Sequence, residues 1–293
     1  MGNIIKKRWG WVVAGLVLAA VTVRAQAPRE SSLLWEISGK ALTKPSYLYG
    51  TIHLICPTDF SLSDGLKERL QKAEQLALEL DMDDPGMMMS MAQLMLMQDN
   101  KQLSTLLPKD DYTRLNQFFR DSVGMNIAPF ERAKPFVLMS LLFNRVLDCQ
   151  PQSYEMTLVG LAKKQQIEVV GLETVAEQMA VFDTIPYQDQ ARMLVQMIDN
   201  LPKARTEFTQ MVSLYKKQDV AALHKMTLES DFDMQGQEEV LLNGRNRRWI
   251  PLMAAMMTQK PTFFAVGAAH LGGDEGVIAL LRKQGYKVTP VRQ

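Results

Sequence analysis

Two rhythms of hydrophobic positions run along the chain. Short, nearly continuous apolar runs gather toward its ends. Ser46-Tyr47-Leu48-Tyr49 and Leu76-Ala77-Leu78-Glu79-Leu80 predict strands near the start, and Ile167-Glu168-Val169-Val170 predicts one in the middle. Phe263-Phe264-Ala265-Val266 and Tyr286-Lys287-Val288 predict two more near the end. Strands that are apolar at successive positions are covered on both faces, as in a parallel sheet flanked by helices. Between Pro85 and Met257 the spacing becomes helical. Leu138, Leu141, Leu142 and Arg145 follow it clearly, and Met193, Val195, Met197 and Ile198 less regularly. Pro108, Pro129, Pro135, Pro151, Pro186 and Pro202 punctuate these helices. The expectation is an α/β fold with a central, mainly parallel sheet. A large helical insertion or cap occupies residues 85–257 and includes a central strand near 167–173. No stretch is rich enough in Gly, Ser or Pro to serve as a linker, so residues 28–293 are expected to form a single domain.

The first 27 residues have a different character. Lys6, Lys7 and Arg8 precede an apolar run from Trp9 to Val23, and Ala25-Gln26-Ala27 offers a small-x-small cleavage site. The apolar run is short for a membrane span, so it predicts a cleaved export signal and a periplasmic or secreted protein, not stably inserted in a membrane. No cysteine stands at the cleavage site, which argues against a lipoprotein. The whole chain has 33 basic and 32 acidic residues. Four of the basic residues and none of the acidic ones lie in the segment just described, so the remainder is mildly acidic. That leaves no electrostatic case for binding nucleic acid. In an exported chain, the two cysteines Cys56 and Cys149 suggest a disulfide closing a long loop, with two buried thiols as the alternative.

A weak internal repeat narrows the chemistry. Gly50-Thr51-Ile52-His53-Leu54 ends the first predicted strand, and Gly267-Ala268-Ala269-His270-Leu271 ends a late one. A helical pattern follows each: Leu62, Leu66, Leu70 and Ala73 after the first, then Val277, Leu280 and Leu281 after the second. A strand follows each helix. The two strand-Gly-x-x-His-helix-strand units read as a duplicated element. In a parallel sheet the carboxyl ends of the strands line the ligand crevice. Gly50 and Gly267 would let the backbone approach a bound group, and His53 and His270 could ligate a metal or exchange protons. Glu79 and Glu173 stand at comparable strand ends, where a carboxylate is costly unless paired or bound to a cation. His53, His270 and Glu79 suffice for a two-histidine, one-carboxylate metal site. Helix capping or pairing with arginine is the alternative for both acids.

Other features carry less. His224 sits in a helical pattern with no partner motif and reads as a surface or packing residue. Asp81, Asp83 and Asp84 could extend a cation site, but an acid before Pro85 suits a helix N-cap. The Met-rich stretch from Met82 to Met97 reads as a helix of the core or cap, with copper or an apolar peptide as possible ligands. Arg245 and Asn246, in a basic run before Trp249, could orient a substrate carboxylate or carbonyl, or simply line a solvated helix face. No Gly-x-Ser-x-Gly, His-Glu-x-x-His or P-loop pattern is present.

Taken in order, Tyr49-Gly50-Thr51-Ile52-His53, Glu79, Gly171-Leu172-Glu173-Thr174, Arg245-Asn246 and Val266-Gly267-Ala268-Ala269-His270-Leu271 resemble the TraB/GumN family, which includes the Tiki metalloproteases. The resemblance spans about Leu34 to Val291. It implies a fold similar to erythromycin esterase and the haem-binding ChaN proteins. It also implies a divalent-metal site on His53, His270 and Glu79 that uses manganese or cobalt to hydrolyse a peptide or protein substrate, with zinc as a further candidate from the donor types. The cation would lower the pKa of a bound water, or an acid such as Glu79 or Glu173 would manage the proton, and Arg245 and Asn246 match a family polar motif. The alternative is a non-catalytic protein that binds a metal, haem or a hydrophobic peptide in the same crevice.

Overall fold

Six strands form one sheet in the order β4-β3-β5-β2-β1-β6. They are β1 (Leu34–Ser38), β2 (Ser46–Thr51), β3 (Gln75–Leu78), β4 (Glu168–Gly171), β5 (Thr262–Gly267) and β6 (Lys287–Pro290). This computed structural model describes residues 31–230 and 236–292. The basic and apolar export segment and its cleavage site therefore lie outside the described residues.

The four strands β4, β3, β5 and β2 run parallel, and every residue of β2, β3 and β5 is buried. Such strands can be apolar throughout because both faces are covered. The other edge departs from the expected pattern. β1, which the apolar runs did not reveal, lies antiparallel between β2 and β6. Its sequence Leu34-Trp35-Glu36-Ile37-Ser38 buries the tryptophan as well as Leu34 and Ile37, so it shows neither a clean alternation nor an unbroken run. The sheet is thus mixed, parallel at one side and antiparallel at the other.

The two Gly-x-x-His motifs both stand at strand ends, but the strand order does not repeat. From β2 the chain crosses to β3, leaving β5 between them. From β5 it crosses the opposite way to β6, leaving β2 and β1 between. Interleaving makes β2 and β5 direct neighbours, with Gly50 opposite Val266 and Thr51 opposite Gly267. Gly50 is required for this approach: a Cβ there would lie 3.1 Å from Ala268 Cα and 3.0 Å from a methyl of Leu271. Gly171 serves β4 likewise, since a Cβ would stand 2.7 Å from the backbone nitrogen of Asp81.

Most of the chain between β3 and β5 is helical, with β4 embedded in it. Part of that region has its own apolar core, formed by Leu103, Leu115, Phe119, Leu138, Leu142 and Leu194 among others. Within the methionine-rich segment Met97 is buried, but the helix itself is not core. Helix Met87–Leu94 has no buried residue, and Met88 and Met89 are 74% and 69% exposed. Its N-cap is Gly86 rather than an aspartate; Asp84 instead accepts from the Gly86 N–H in a tight turn. Cys56 and Cys149 form a disulfide across a sequence separation of 93 residues. Beside it, Ile55 and Gln152 exchange two backbone hydrogen bonds, of 3.0 and 2.8 Å. Together they tie the loop after β2 to the start of helix Tyr154–Lys164. Among the described residues no helix is long and apolar enough to cross a membrane.

Candidate functional site

The carboxyl ends of the parallel strands bring the candidate residues together. Glu79 follows β3 directly, and its Oε1 accepts from the Gly267 N–H at the end of β5 (2.8 Å). Two residues past β4, Glu173 continues the ladder through its backbone N–H to Glu79 O (3.0 Å). His53 lies three residues beyond Gly50 of β2, and His270 three residues beyond Gly267 of β5. A Cβ built on Gly267 would stand 3.4 Å from Glu79 Oε1, 3.5 Å from His53 Nε2 and 3.6 Å from His270 Cδ2. The two histidines and Glu79 therefore surround one small space, which the missing side chain of Gly267 leaves open. Gly50 contributes differently, through the close approach of backbones already described.

Each imidazole is oriented from behind. His53 Nδ1 lies 2.9 Å from Glu155 Oε1, so this nitrogen carries the hydrogen and Nε2 faces the space. Glu155 is buried in the first turn of helix Tyr154–Lys164, where Thr51 donates to its Oε1 (2.6 Å) and Ser153 to its Oε2 (2.8 Å). Ser153 is also the N-cap of that helix. His270 Nδ1 lies 2.7 Å from Asn246 Oδ1. The Asn246 amide nitrogen donates to the carbonyls of His270 and Glu275, so its oxygen must be the group facing the ring. His270 Nε2 is then left with its lone pair.

Arg245, buried at the start of helix Gly244–Gln259, joins the acids. Its Nη2 bonds Glu79 Oε2 at 2.5 Å and also Glu173 Oε1, while Nε reaches both Glu173 oxygens at 3.1 and 3.2 Å. Nη1 donates to Leu241 O and to His270 Nε2, both at 3.2 Å. The Arg245 guanidinium lies 4.8 Å from the Trp249 ring, which also packs against His270. Gln178, in helix Val175–Asp183, bonds Glu173 (3.0 Å) and Glu79 (3.4 Å). Both acids are thus paired with arginine, as the alternative reading of their sequence allowed.

These contacts set the protonation states. Burial raises the Glu79 carboxyl, but Arg245 and the two histidines outweigh it and hold it well below the usual carboxylate range. Burial pushes His270 down to about 3, against the pull of Glu79 and with help from Arg245, so its ring is neutral. Surrounding protein also works against a charge on His53. That ring is 67% exposed, however, and the bond to Glu155 with the charges of Glu155 and Glu79 raises it to about 9. For Glu155, burial is overcome by His53 and Thr51, which lower it to about 2.

The donor set fits a divalent cation. Two imidazoles with their Nδ1 hydrogens engaged behind and their Nε2 atoms turned inward, plus one ionised carboxylate, are the ligand types that bind zinc and its neighbours. Among the described residues, no three His, Cys, Asp or Glu side chains are drawn together as closely as ligands of one ion. His270 Nε2 is 3.8 Å from Glu79 Oε1, with Arg245 bonded to both residues.

His224 packs on the turn after His270. Its Nδ1 lies 3.1 Å from Ala269 O, and its ring fills the space that side chains at Gly272 and Gly273 would need. The residues that sequence reasoning missed are Thr51, Ser153, Glu155 and Gln178. Only Thr51 lies inside a singled-out motif; Glu155 is 102 positions from the histidine it orients. An acid in the first turn of a Ser-capped helix was the one local signal, and it reads equally well as ordinary capping.

Residues 33–290 match the TraB/PrgY/gumN family. The chain is similar to the metalloprotease TIKI2 of Danio rerio, with 23% identity over 315 residues covering 88% of this chain and 60% of the relative. It is similar to human metalloprotease TIKI1 at 23% identity over 323 residues, covering 91% of the chain and 63% of that protein. A metalloprotease TIKI homolog of Amphimedon queenslandica also aligns at 23% identity, covering 88% and 61%. The chain thus spans about three-fifths of the length of these relatives. No solved structure matches it significantly. With the match running from before β2 to the end of β6, and so over every strand-end residue described above, the chain belongs to the TraB/PrgY/gumN family.

Proposed function

We propose that the protein is an exported, divalent-metal-dependent peptidase whose metal is held by His53, Glu79 and His270. The observation that carries this reading is the convergence of these three residues around Gly267, each imidazole steered by a partner on its far nitrogen. A bound Mn²⁺, Co²⁺ or Zn²⁺ would supply Lewis acidity toward a scissile carbonyl and an attacking water. The chain's own residues prepare the site. Asn246 holds neutral His270 with its Nε2 lone pair inward, and Glu155 holds His53 with Nε2 facing the same space, where His53, raised to about 9, would give up its Nε2 proton to bind the ion. Arg245 keeps Glu79 ionised, and Glu173 anchors Arg245. With a side chain only 3% exposed and gripped by Arg245, Glu173 serves better as that anchor than as a proton carrier. His53 is the exposed member and His270 the buried one, so a peptide would enter from the His53 side.

The strand-end Gly-x-x-His pair supports the erythromycin esterase and ChaN-like reading of the fold. The disulfide and the basic-apolar start of the chain support export to the periplasm or beyond. The test is a peptide-library digest read by mass spectrometry, with Mn²⁺, Co²⁺ or Zn²⁺ added in turn. Cleavage is expected to disappear on chelation, in Glu79→Gln and in a His53→Ala/His270→Ala double variant. Absence of cleavage with every metal would refute a peptidase.

A further inference from the structure

Arg245 makes a bond that the metal reading does not require. His270 Nδ1 is committed to Asn246, so Nε2 presents a lone pair, and Arg245 Nη1 donates to it at 3.2 Å. That lone pair is the one a metal would use. The rest of the guanidinium is anchored elsewhere: Nε and Nη2 on Glu173, Nη2 also on Glu79, and the second Nη1 hydrogen on Leu241 O. Losing the bond to His270 would therefore not release the side chain.

We propose that Arg245 competes with a divalent cation for His270 Nε2, and that the N–H so displaced is taken up by an oxygen of the peptide substrate. This rests on His53, Glu79 and His270 forming the metal site. A cation bonding Glu79 and His270 together must yield one of those bonds before another cation can use both, and only His270 can be surrendered without breaking a charge pair. A charged N–H left buried without an acceptor is costly, so it recruits the next oxygen that arrives. In a peptidase that oxygen is the scissile carbonyl, whose negative charge grows in the transition state. The guanidinium then turns substrate binding to use without moving from Glu173.

The test uses Arg245→Lys, which keeps a cation beside the acids but lacks the forked reach to His270. Calorimetry with Mn²⁺ and with Zn²⁺ should show metal binding about tenfold tighter than wild type, the scale of one charge-assisted hydrogen bond. With metal saturating, kcat should fall about a hundredfold while KM changes little. A purely structural arginine would give weaker metal binding. If Arg245→Lys does not fold, Arg245→Met/Glu173→Gln removes the pair together, leaves net charge unchanged, and should also bind metal more tightly. Equal or weaker metal binding in the folded variant overturns the competition. Tighter binding with undiminished kcat overturns the substrate contact. A wild-type protein that binds neither metal overturns the metal site itself, which distinguishes that failure from this one.

Discussion

Replacing Gly267 by alanine separates the site from the fold. The backbone there has φ −51° and ψ 136°, which any L residue adopts without strain. The new methyl would meet Glu79 Oε1 at 3.4 Å, His53 Nε2 at 3.5 Å and His270 Cδ2 at 3.6 Å, all ordinary van der Waals distances. No backbone atom obstructs it. Removing glycine's freedom from the unfolded chain stabilises a compatible site by about 0.4–1 kcal/mol. For a domain of this size that raises the melting temperature by about 1–4 °C. The methyl nevertheless occupies the space the three residues share, so calorimetric affinity for Mn²⁺ or Zn²⁺ should fall at least about tenfold, or about 1.4 kcal/mol. The two assays thus move in opposite directions. Gly50→Ala is the contrast: its Cβ would press on Ala268 Cα at 3.1 Å, so that variant should lose stability as well. Wild-type metal affinity in Gly267→Ala would show that the three donors do not enclose the ion.

Three further outcomes follow from the same contacts. Glu155→Gln preserves shape but removes the charge behind His53, so the His53 midpoint, followed by NMR of its ring protons, should drop from about 9 toward the ordinary 6.5; an unmoved midpoint would acquit Glu155. Stability without added metal should peak near neutrality. His270, lowered to about 3, takes up its proton only on unfolding and so weakens the fold as pH falls below 6.5, while Glu155, lowered to about 2, adds to the loss below 4.5. His53, raised to about 9, contributes stability that is fully present below 6.5 and lost as pH rises through 9. Urea midpoints across pH measure this, and His270→Gln should flatten the limb between 6.5 and 4.5; an unaltered limb refutes the assignment. Finally, Cys56→Ser/Cys149→Ser opens a loop spanning a sequence separation of 93 residues and should cost up to about 4.6 kcal/mol on loop-closure entropy, measured by urea unfolding. A loss under about 1 kcal/mol, or free thiols in oxidised wild type, would contradict it.

The resemblance and the local pattern reached far. The strand ends at Gly50 and Gly267, the acids at 79 and 173, and Arg245-Asn246 were legible because each occupies a short, locally recognisable context. β1 escaped because a buried Trp35 breaks its alternation. Of the core and cap readings of the methionine-rich helix, the core one fails, since Met88 and Met89 stay in solvent and apolar content alone does not say which surface will be available to cover a helix.

By itself the sequence determined the alternation of apolar strands and helices, the two cysteines and the residue types that could hold a cation. Those are properties of near neighbours in the chain, carried by periodicity and turn chemistry. Tertiary structure alone decided that β5 inserts between β2 and β3, which sets His53, His270 and Glu79 around one glycine. It also decided that Glu155 stands behind His53 and that Arg245 bridges both acids to His270. The reason is that strand order and side-chain partners arise from pairings across some 70 to 200 residues, as the bonds from Glu155, Arg245 and Gly267 show. Backbone hydrogen bonds in a parallel sheet are alike whichever strand supplies them, so the choice of neighbour is made by packing of the whole domain.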